Sequence, residues 1–244
     1  MKISIVTVVF NDFENIENTI KSVVCQSYND VEYIIIDGGS TDGTCNVIEK
    51  LYCDGGIDIY ESNKDNGIYD AMNKGIQKAS GDYICFMNSG DIFFENSIIA
   101  KVHDRILLNR YPDFIYGNTL VKKGPKERVV KARQFIQIKN TLPFCHQSVF
   151  IKLSLHKLKL YSTQYRLASD YDFFAGISLN NPHWSHMDDL TISKITEGGV
   201  ADAGRLRTTI EYLQIATRHF YIPRWGQIWL LIKVLASMIL LRDK

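Results

Sequence analysis

No CxxC pair occurs in the 244 residues, and the five cysteines, Cys25, Cys45, Cys53, Cys85 and Cys145, form an odd set. That pattern argues against a disulfide framework and for unpaired thiols in a reducing compartment. Cys25 and Cys85 lie in apolar runs, where a free cysteine behaves as a small hydrophobe. Zinc spacing is missing too: His183 and His186 flank Trp184 without an acid or cysteine partner set. Charge of one sign is scarce. A formal net charge of +1 gives no support to a binder that works through general basicity, so nucleic acid is not an expected partner. No basic leader precedes the apolar run Ile3–Phe10 and no small-residue cleavage site follows it, so the run reads as a first strand and a cytoplasmic location is expected. The apolar segment from Trp225 to Leu241 contains Lys233 and falls short of the roughly twenty residues that a membrane span needs.

What is present is a core. Hydrophobic residues make up 45% and charged residues 23% of the chain, the balance of a packed globular protein, and the length fits one α/β domain with a C-terminal extension. The first half alternates strand and helix signals. Strands are expected at Ile3–Phe10, Val31–Ile36, Ile57–Glu61 and Tyr83–Met87. The helices between them carry Ile16, Ile20 and Val23, then Val47, Ile48 and Leu51, then the stretch Ile68–Lys78. Asp12 is placed to cap the first helix, and Ser40 or Thr41 the second. Right-handed crossovers would bring the carboxyl ends of all these strands to one edge, where open α/β sheets bind their ligands. Asp37 and Asp91 arrive there directly, with Asp65 and Asp70 between them in sequence. Several carboxylates at one edge are costly unless a cation is bound among them, and a divalent metal carrying a diphosphate meets that need.

These blocks resemble the inverting family-2 glycosyltransferases. The matching residues are Val6–Asn11, Asp37–Thr44, Asp65–Gly75, Asn88–Asp91, His146–Gln147, Ser169–Tyr171 and Gly198–Val200. The run Asp65–Gly75, with Asn88–Phe93, is especially similar to the colanic-acid WcaE-like branch. The resemblance implies the GT-A fold, a Rossmann-like α/β architecture whose mostly parallel sheet carries helices on both faces. It places that domain at 1–204, with a nucleotide-sugar-binding half at 1–95 and an acceptor half at 96–204, and leaves C-terminal helices at 205–244.

Residue by residue, the resemblance implies that Thr7 and Val9 line the base pocket and that Asp37 accepts a hydrogen bond from the base ring. A carboxylate suits that task because it only accepts; the competing role for Asp37 is a helix-capping acid in the loop. Asp65, Asn66, Gly67 and Asn73, with Asn88, Ser89 and Gly90, would meet the nucleotide or its sugar. Asp91 would bind Mg2+ or Mn2+, which prefer hard oxygen ligands. Here the chain departs from the family's Asp-x-Asp pattern, since Asn88 and Gly90 leave Asp91 as the only acid of the turn. Asp170 matches the catalytic base and Asp172 is the runner-up; the competing reading is that an acid at a helix start serves the helix dipole. His146 and Gln147 would reach the acceptor or the donor sugar, against the reading of His146 as a satisfied core histidine.

The implied activity is transfer of a hexose from a nucleotide-diphosphate sugar, UDP-linked by expectation, to a polyprenyl-diphosphate-linked saccharide acceptor in bacterial surface polysaccharide synthesis such as O-antigen or exopolysaccharide. A catalytically silent sugar-nucleotide-binding protein is the alternative. A sugar nucleotidyltransferase ranks lower, because Asn11-Asp12-Phe13-Glu14 is the wrong chemistry for a basic triphosphate loop. Lys122, Lys123, Lys126, Arg128, Lys131 and Arg133 surround Gly124-Pro125 and read first as a solvated hairpin, with a face for an anionic membrane or a lipid diphosphate as the lesser alternative. Arg205–Phe220 reads as an amphipathic helix. The segment beyond Pro223, with Arg224, Trp225, Trp229 and Lys233, suits a helix lying on the inner face of the cell membrane. Packing against a second subunit of a homodimer is the other occupant considered for it.

Overall fold

The computed structural model describes residues 1–196 and 204–220. The expectations placed on Gly198–Gly199 and on the apolar stretch beyond Pro223 lie outside the described residues. The first half follows the alternation: β1 (Ile3–Val9), α1 (Ile16–Val24), β2 (Val31–Asp37), α2 (Thr44–Cys53), β3 (Ile59–Ser62), α3 (Ile68–Lys78) and β4 (Tyr83–Phe86). These strands pair in parallel in the order β3-β2-β1-β4. The period-two pattern of β1 decides which face each side chain takes. Ile3, Ile5 and Val9 join Ile16, Ile20 and Ile48 of α1 and α2, while Val6 and Val8 pack with Tyr69, Met72 and Ile76 of α3.

Beyond β4 come β5 (Ile92–Phe93), α4 (Ile98–Leu108), β6 (Phe114–Lys123), β7 (Lys126–Val130), β8 (Val149–Lys152), α5 (Leu153–Leu158), α6 (Ser169–Ser178), β9 (Trp184–Thr196) and α7 (Arg205–His219). β8 runs antiparallel to both β4 and β6, so β6 points the same way as β4. β9 pairs with β6 in parallel, and β5 closes the far side against β9. The β6–β9 register jumps from Gly117–Met187 to Asn118–Thr191. At that bulge a Cβ on residue 117 would come within 2.6 Å of the Leu190 carbonyl oxygen, so glycine is required. One nine-stranded sheet therefore joins both halves. An aromatic core of Phe114, Tyr116, Phe135, Phe144, Phe173 and Phe174 lies between its second half and α6. α7 belongs to that core through Ile215 and Ala216, and Tyr212 stacks on Tyr171 of α6 at 4.3 Å.

Two helix starts differ from the sequence expectation. Asp12 instead accepts from Asn15 Nδ2 and Ser89 Oγ, both at 2.6 Å. At α2 the cap is Gly43 in the left-handed region, and Asp42 accepts the Thr44 amide at 3.0 Å. Ser40 is drawn away because its hydroxyl receives the Asn11 amide at 2.7 Å.

α3 lies so close to β1 that a Cβ on residue 75 would sit 2.5 Å from Val6 Cγ1. Gly75→Ala is therefore expected to destabilise by about 1–3 kcal/mol, since overpacking outweighs the ~1 kcal/mol that alanine gains over glycine within a helix. Urea denaturation measures it. Restoring room with Val6→Ala should recover part of the loss, and additive losses would show that the contact is not the cause.

Candidate active site

The sheet delivers its acids to one edge. Val9 and Asp37 are register partners at the ends of β1 and β2, and the chain after β4 stays beside β1 through Met87 N–H to Val6 and Ser89 N–H to Val8. Asn88–Asp91 then forms a turn closed by Asp91 N–H to the Asn88 carbonyl, with Gly90 at φ +90° in the position where a type II turn needs it. Thr19 of α1 pins this turn. Its hydroxyl receives the Gly90 amide at 3.0 Å and donates to the Asp91 carbonyl at 2.9 Å.

Asp91 is half-buried, and its Oδ2 accepts a 2.7 Å hydrogen bond from Gln147 Nε2. Gln147 is itself oriented by the Cys145 thiol on its Oε1 at 2.9 Å. Burial pushes the Asp91 carboxyl up to about 7, against the Gln147 hydrogen bond, and the nearby Asp12 adds to the rise. Asp91 Oδ1 has no partner among the described residues, and Asn88 Oδ1 is buried without one. Buried polar oxygens left unpaired are rare. The turn thus holds two hard oxygen donors with spare capacity, the donor type that Mg2+ and Mn2+ take.

Asp170 stands in the first turn of α6. Its Oδ1 accepts from the Tyr69 hydroxyl at 3.1 Å and from the Tyr171 amide at 2.8 Å, while Oδ2 has no partner among the described residues. Burial raises this carboxyl to about 6, opposed by the Tyr171 and Tyr69 hydrogen bonds. Glu211 of α7 fastens the segment before α6, accepting the Arg166 and Leu167 amides at 3.0 and 2.8 Å. Burial first, then the charges of Asp91 and Asp170, push the Cys145 thiol up to about 12.

Other residues singled out from the sequence are engaged elsewhere. Thr7 is fully buried, donating to the Met87 carbonyl at 2.7 Å, and Val9 lies in the core under α1. Asp37 is fully buried and accepts from Gly39 N, Ser40 N, Ser40 Oγ, Ser62 Oγ and Cys45 Sγ. Burial alone would raise its carboxyl, yet these donors hold it below the usual value. Its bonds hold its own loop and not the start of α2, whose cap is Gly43, and no oxygen is turned outward. Asp65 lies against Gly38, where an added Cβ would meet its Oδ2 at 2.6 Å, and takes the Gly67 amide at 2.8 Å. Asn66 and Gly67 are exposed beside it. Asn73 clamps both the N–H and the carbonyl of Tyr161 at 2.9 Å. His146 is buried with Nε2 2.6 Å from the Tyr161 hydroxyl and its ring stacked on Phe86, and burial lowers it to about 4. It is a core histidine. Asp172 faces away from Asp170 and pairs with His219 of α7 at 2.8 Å, because two residues along a helix turn the side chain to the opposite face.

A parallel α/β sheet that gathers carboxylates at its carboxyl edge, followed by a mixed half carrying a further acid, is the build of a GT-A glycosyltransferase. Residues 4–177 match the model of glycosyl transferase family 2, and the chain belongs to that family. An uncharacterised glycosyltransferase of Mycobacterium tuberculosis is 32% identical over 184 residues, covering 72% of this chain and 69% of the relative. A PGL/p-HBAD biosynthesis glycosyltransferase of Mycobacterium bovis is 29% identical over 154 residues, covering 62% and 60%. Among solved structures, Staphylococcus aureus TarS 1–349 in complex with UDP superposes with a TM-score of 0.70 at 16% identity, over 96% of this chain and 71% of that one. The mannosyltransferase PcManGT of Pyrobaculum calidifontis, in complex with GDP-Man and Mn2+, gives 0.67 at 16% identity over 96% and 69%.

Proposed function

We propose that this protein is a metal-assisted, inverting hexosyltransferase that moves a sugar from a nucleoside-diphosphate donor, UDP-linked by preference, to a hydroxyl of a lipid-linked saccharide. Surface polysaccharide assembly of the colanic-acid type is the context that the sequence resemblance favours. The observation that carries the reading is the pair Asp91 and Asp170. Both are half-buried carboxylates with one oxygen held and one open.

The two acids divide the chemistry. Asp91, with Asn88 Oδ1, would hold Mg2+ or Mn2+ against the donor diphosphate; when bound, such an ion neutralises charge on the departing nucleotide. The UDP and GDP-Man–Mn2+ complexes of the structural neighbours support this choice of donor and ion. Asp170 takes the acceptor proton at its open Oδ2 while the acceptor oxygen attacks the anomeric carbon from the face opposite the diphosphate. Inversion follows, and an α-linked donor yields a β-linked product; one base suffices and no enzyme nucleophile is needed. Asp37 contributes by fixing the Gly38–Asp42 loop at the mouth of the site. Asp65, Asn66 and Gly67 form the exposed rim that meets the donor.

Nucleotide release from a panel of UDP-, GDP- and dTDP-sugars, with Mn2+, Mg2+ or EDTA and a lipid-diphosphate saccharide acceptor, tests the reading. Metal-dependent release of nucleoside diphosphate from one donor is expected. Tight binding of a donor without turnover would replace the transferase by a silent sugar-nucleotide binder. Release of pyrophosphate from a nucleoside triphosphate and a sugar phosphate would point to a nucleotidyltransferase.

A further inference from the structure

We infer that the β6–β7 hairpin is a docking surface for an anionic lipid bilayer. Between residues 122 and 133 stand six cations, Lys122, Lys123, Lys126, Arg128, Lys131 and Arg133, against one acid, Glu127, in a chain whose formal net charge is only +1. Glu127 is itself paired with a further cation, Lys194 of β9, at 2.7 Å. The excess is therefore local, and it is presented outward: every residue of β7 and of the turn before it is exposed.

The topology sets where this charge lies. β6 runs parallel to β4, because β8 is antiparallel to both. The end of β6 therefore leaves the sheet at the edge that carries Asn88–Asp91. Tyr116 is register partner to Val149, just after Gln147, and the hairpin from Thr119 onward extends past that level. Gly124 at φ +55° and Pro125 make a tight two-residue reversal, so the ribbon ends in a compact tip flanked by Lys123 and Lys126.

The apolar side chains choose among polyanions. Val129 and Val130 are 48% and 40% exposed, and as neighbours in a strand they point to opposite faces of the ribbon. The register puts Lys123, Lys126 and Arg128 with Val130 on one face, and Lys122 opposite Glu127, with Val129, on the other. Such a surface gains from headgroup phosphates and from the acyl boundary together. Nucleic acid would use the cations alone, and no aromatic side chain stands in the hairpin for bases to stack on. Protection of the β7 edge, which has no second strand among the described residues, accounts for one or two lysines, not for three cations from both strands on one face.

The test is flotation of the full chain with vesicles of equal parts phosphatidylcholine and phosphatidylglycerol, against pure phosphatidylcholine. Binding only to the anionic vesicles is expected, weakened by salt. The triple variant Lys122→Glu, Lys126→Glu, Arg128→Glu should lose binding by on the order of a hundredfold, taking about fivefold per cation as a minimum. Its circular dichroism, melting temperature and donor-sugar affinity should stay unchanged. Undiminished binding of the triple variant would place the contact elsewhere in the chain and overturn the inference. Failure of the natural chain to bind either vesicle, including a result in which it binds only heparin or duplex DNA, would overturn it as well. None of these readouts depends on turnover, so the outcome is separable from the fate of the proposed transferase activity.

Discussion

Asp170→Asn is expected to lower kcat by about 10²–10⁴-fold, the range over which a positioned general base acts, while leaving donor affinity within about twofold, because its open oxygen serves the acceptor and not the nucleotide. The pH profile carries the same information. Burial raises this carboxyl to about 6, and only the ionised form accepts a proton. kcat/KM should therefore fall as pH drops through about 6 and level off above it. Tyr69 enters here as a positioning residue. Its hydroxyl donates to Asp170 Oδ1 and favours the charged form, so Tyr69→Phe should move the acid limb to higher pH. One lost hydrogen bond of about 0.5–1.5 kcal/mol corresponds to at most about one pH unit. A rate lowered equally at all pH values would show that Tyr69 merely packs.

The same position gives a stability effect of opposite sign. The folded pKa of Asp170 lies above the ordinary aspartate value, so the unfolded chain binds fewer protons between about pH 4 and 6. The penalty is absent below that window, grows through it and is complete above it. Asp170→Asn should therefore be more stable than the natural chain at pH 7, by about 1–3 kcal/mol, and no more stable at pH 4. Thermal melts at the two pH values measure the difference. Gain of stability with loss of turnover is what a strained catalytic carboxylate predicts. A purely structural acid would lose both.

Local signals account for what was legible. The β–α alternation from Ile3 to Phe86 is written in contiguous apolar runs, and each strand found there matches its expected position to within two residues. The second half leaves no such trace. β6 and β9 pair in parallel across about seventy residues with a bulge at Gly117, and β5 is two residues long. Long-range pairing of this kind has no local period. Side-chain direction was the other limit. Asp37 ends a strand as expected, but that Ser40, Ser62 and Cys45 turn inward upon it depends on three separate segments. Asp170 and Asp172 are told apart by helical phase once α6 is placed against α7. Tyr69 and Glu211 escaped notice because each looks ordinary in sequence: an aromatic on the buried face of a helix, and an acid four residues from Arg207 on another. A buried Glu in an otherwise amphipathic pattern was the one available signal.

Asp91→Asn is expected to weaken Mn2+ binding, measured by electron paramagnetic resonance with and without UDP, and to reduce transfer by at least about a hundredfold, since the turn has no second acid to take over. Removal of metal with EDTA should reproduce the loss of transfer in the natural chain and add nothing in the variant. Gln147 supplies the finer test. Its amide holds Asp91 Oδ2 and its own carbonyl is held by Cys145, so Gln147→Ala leaves the donor atoms in place and frees the carboxylate to rotate. Groups that orient a ligand in this way are worth about 10–100-fold in metal affinity, and that loss is expected for Gln147→Ala alone. Because Gln147 acts through Asp91, the two losses should not add. In the Asp91→Asn background, Gln147→Ala should change Mn2+ affinity by less than about twofold. Additive losses would mean that Gln147 does not act through Asp91, and that Asp91 keeps its orientation through the Thr19 clamp on the turn.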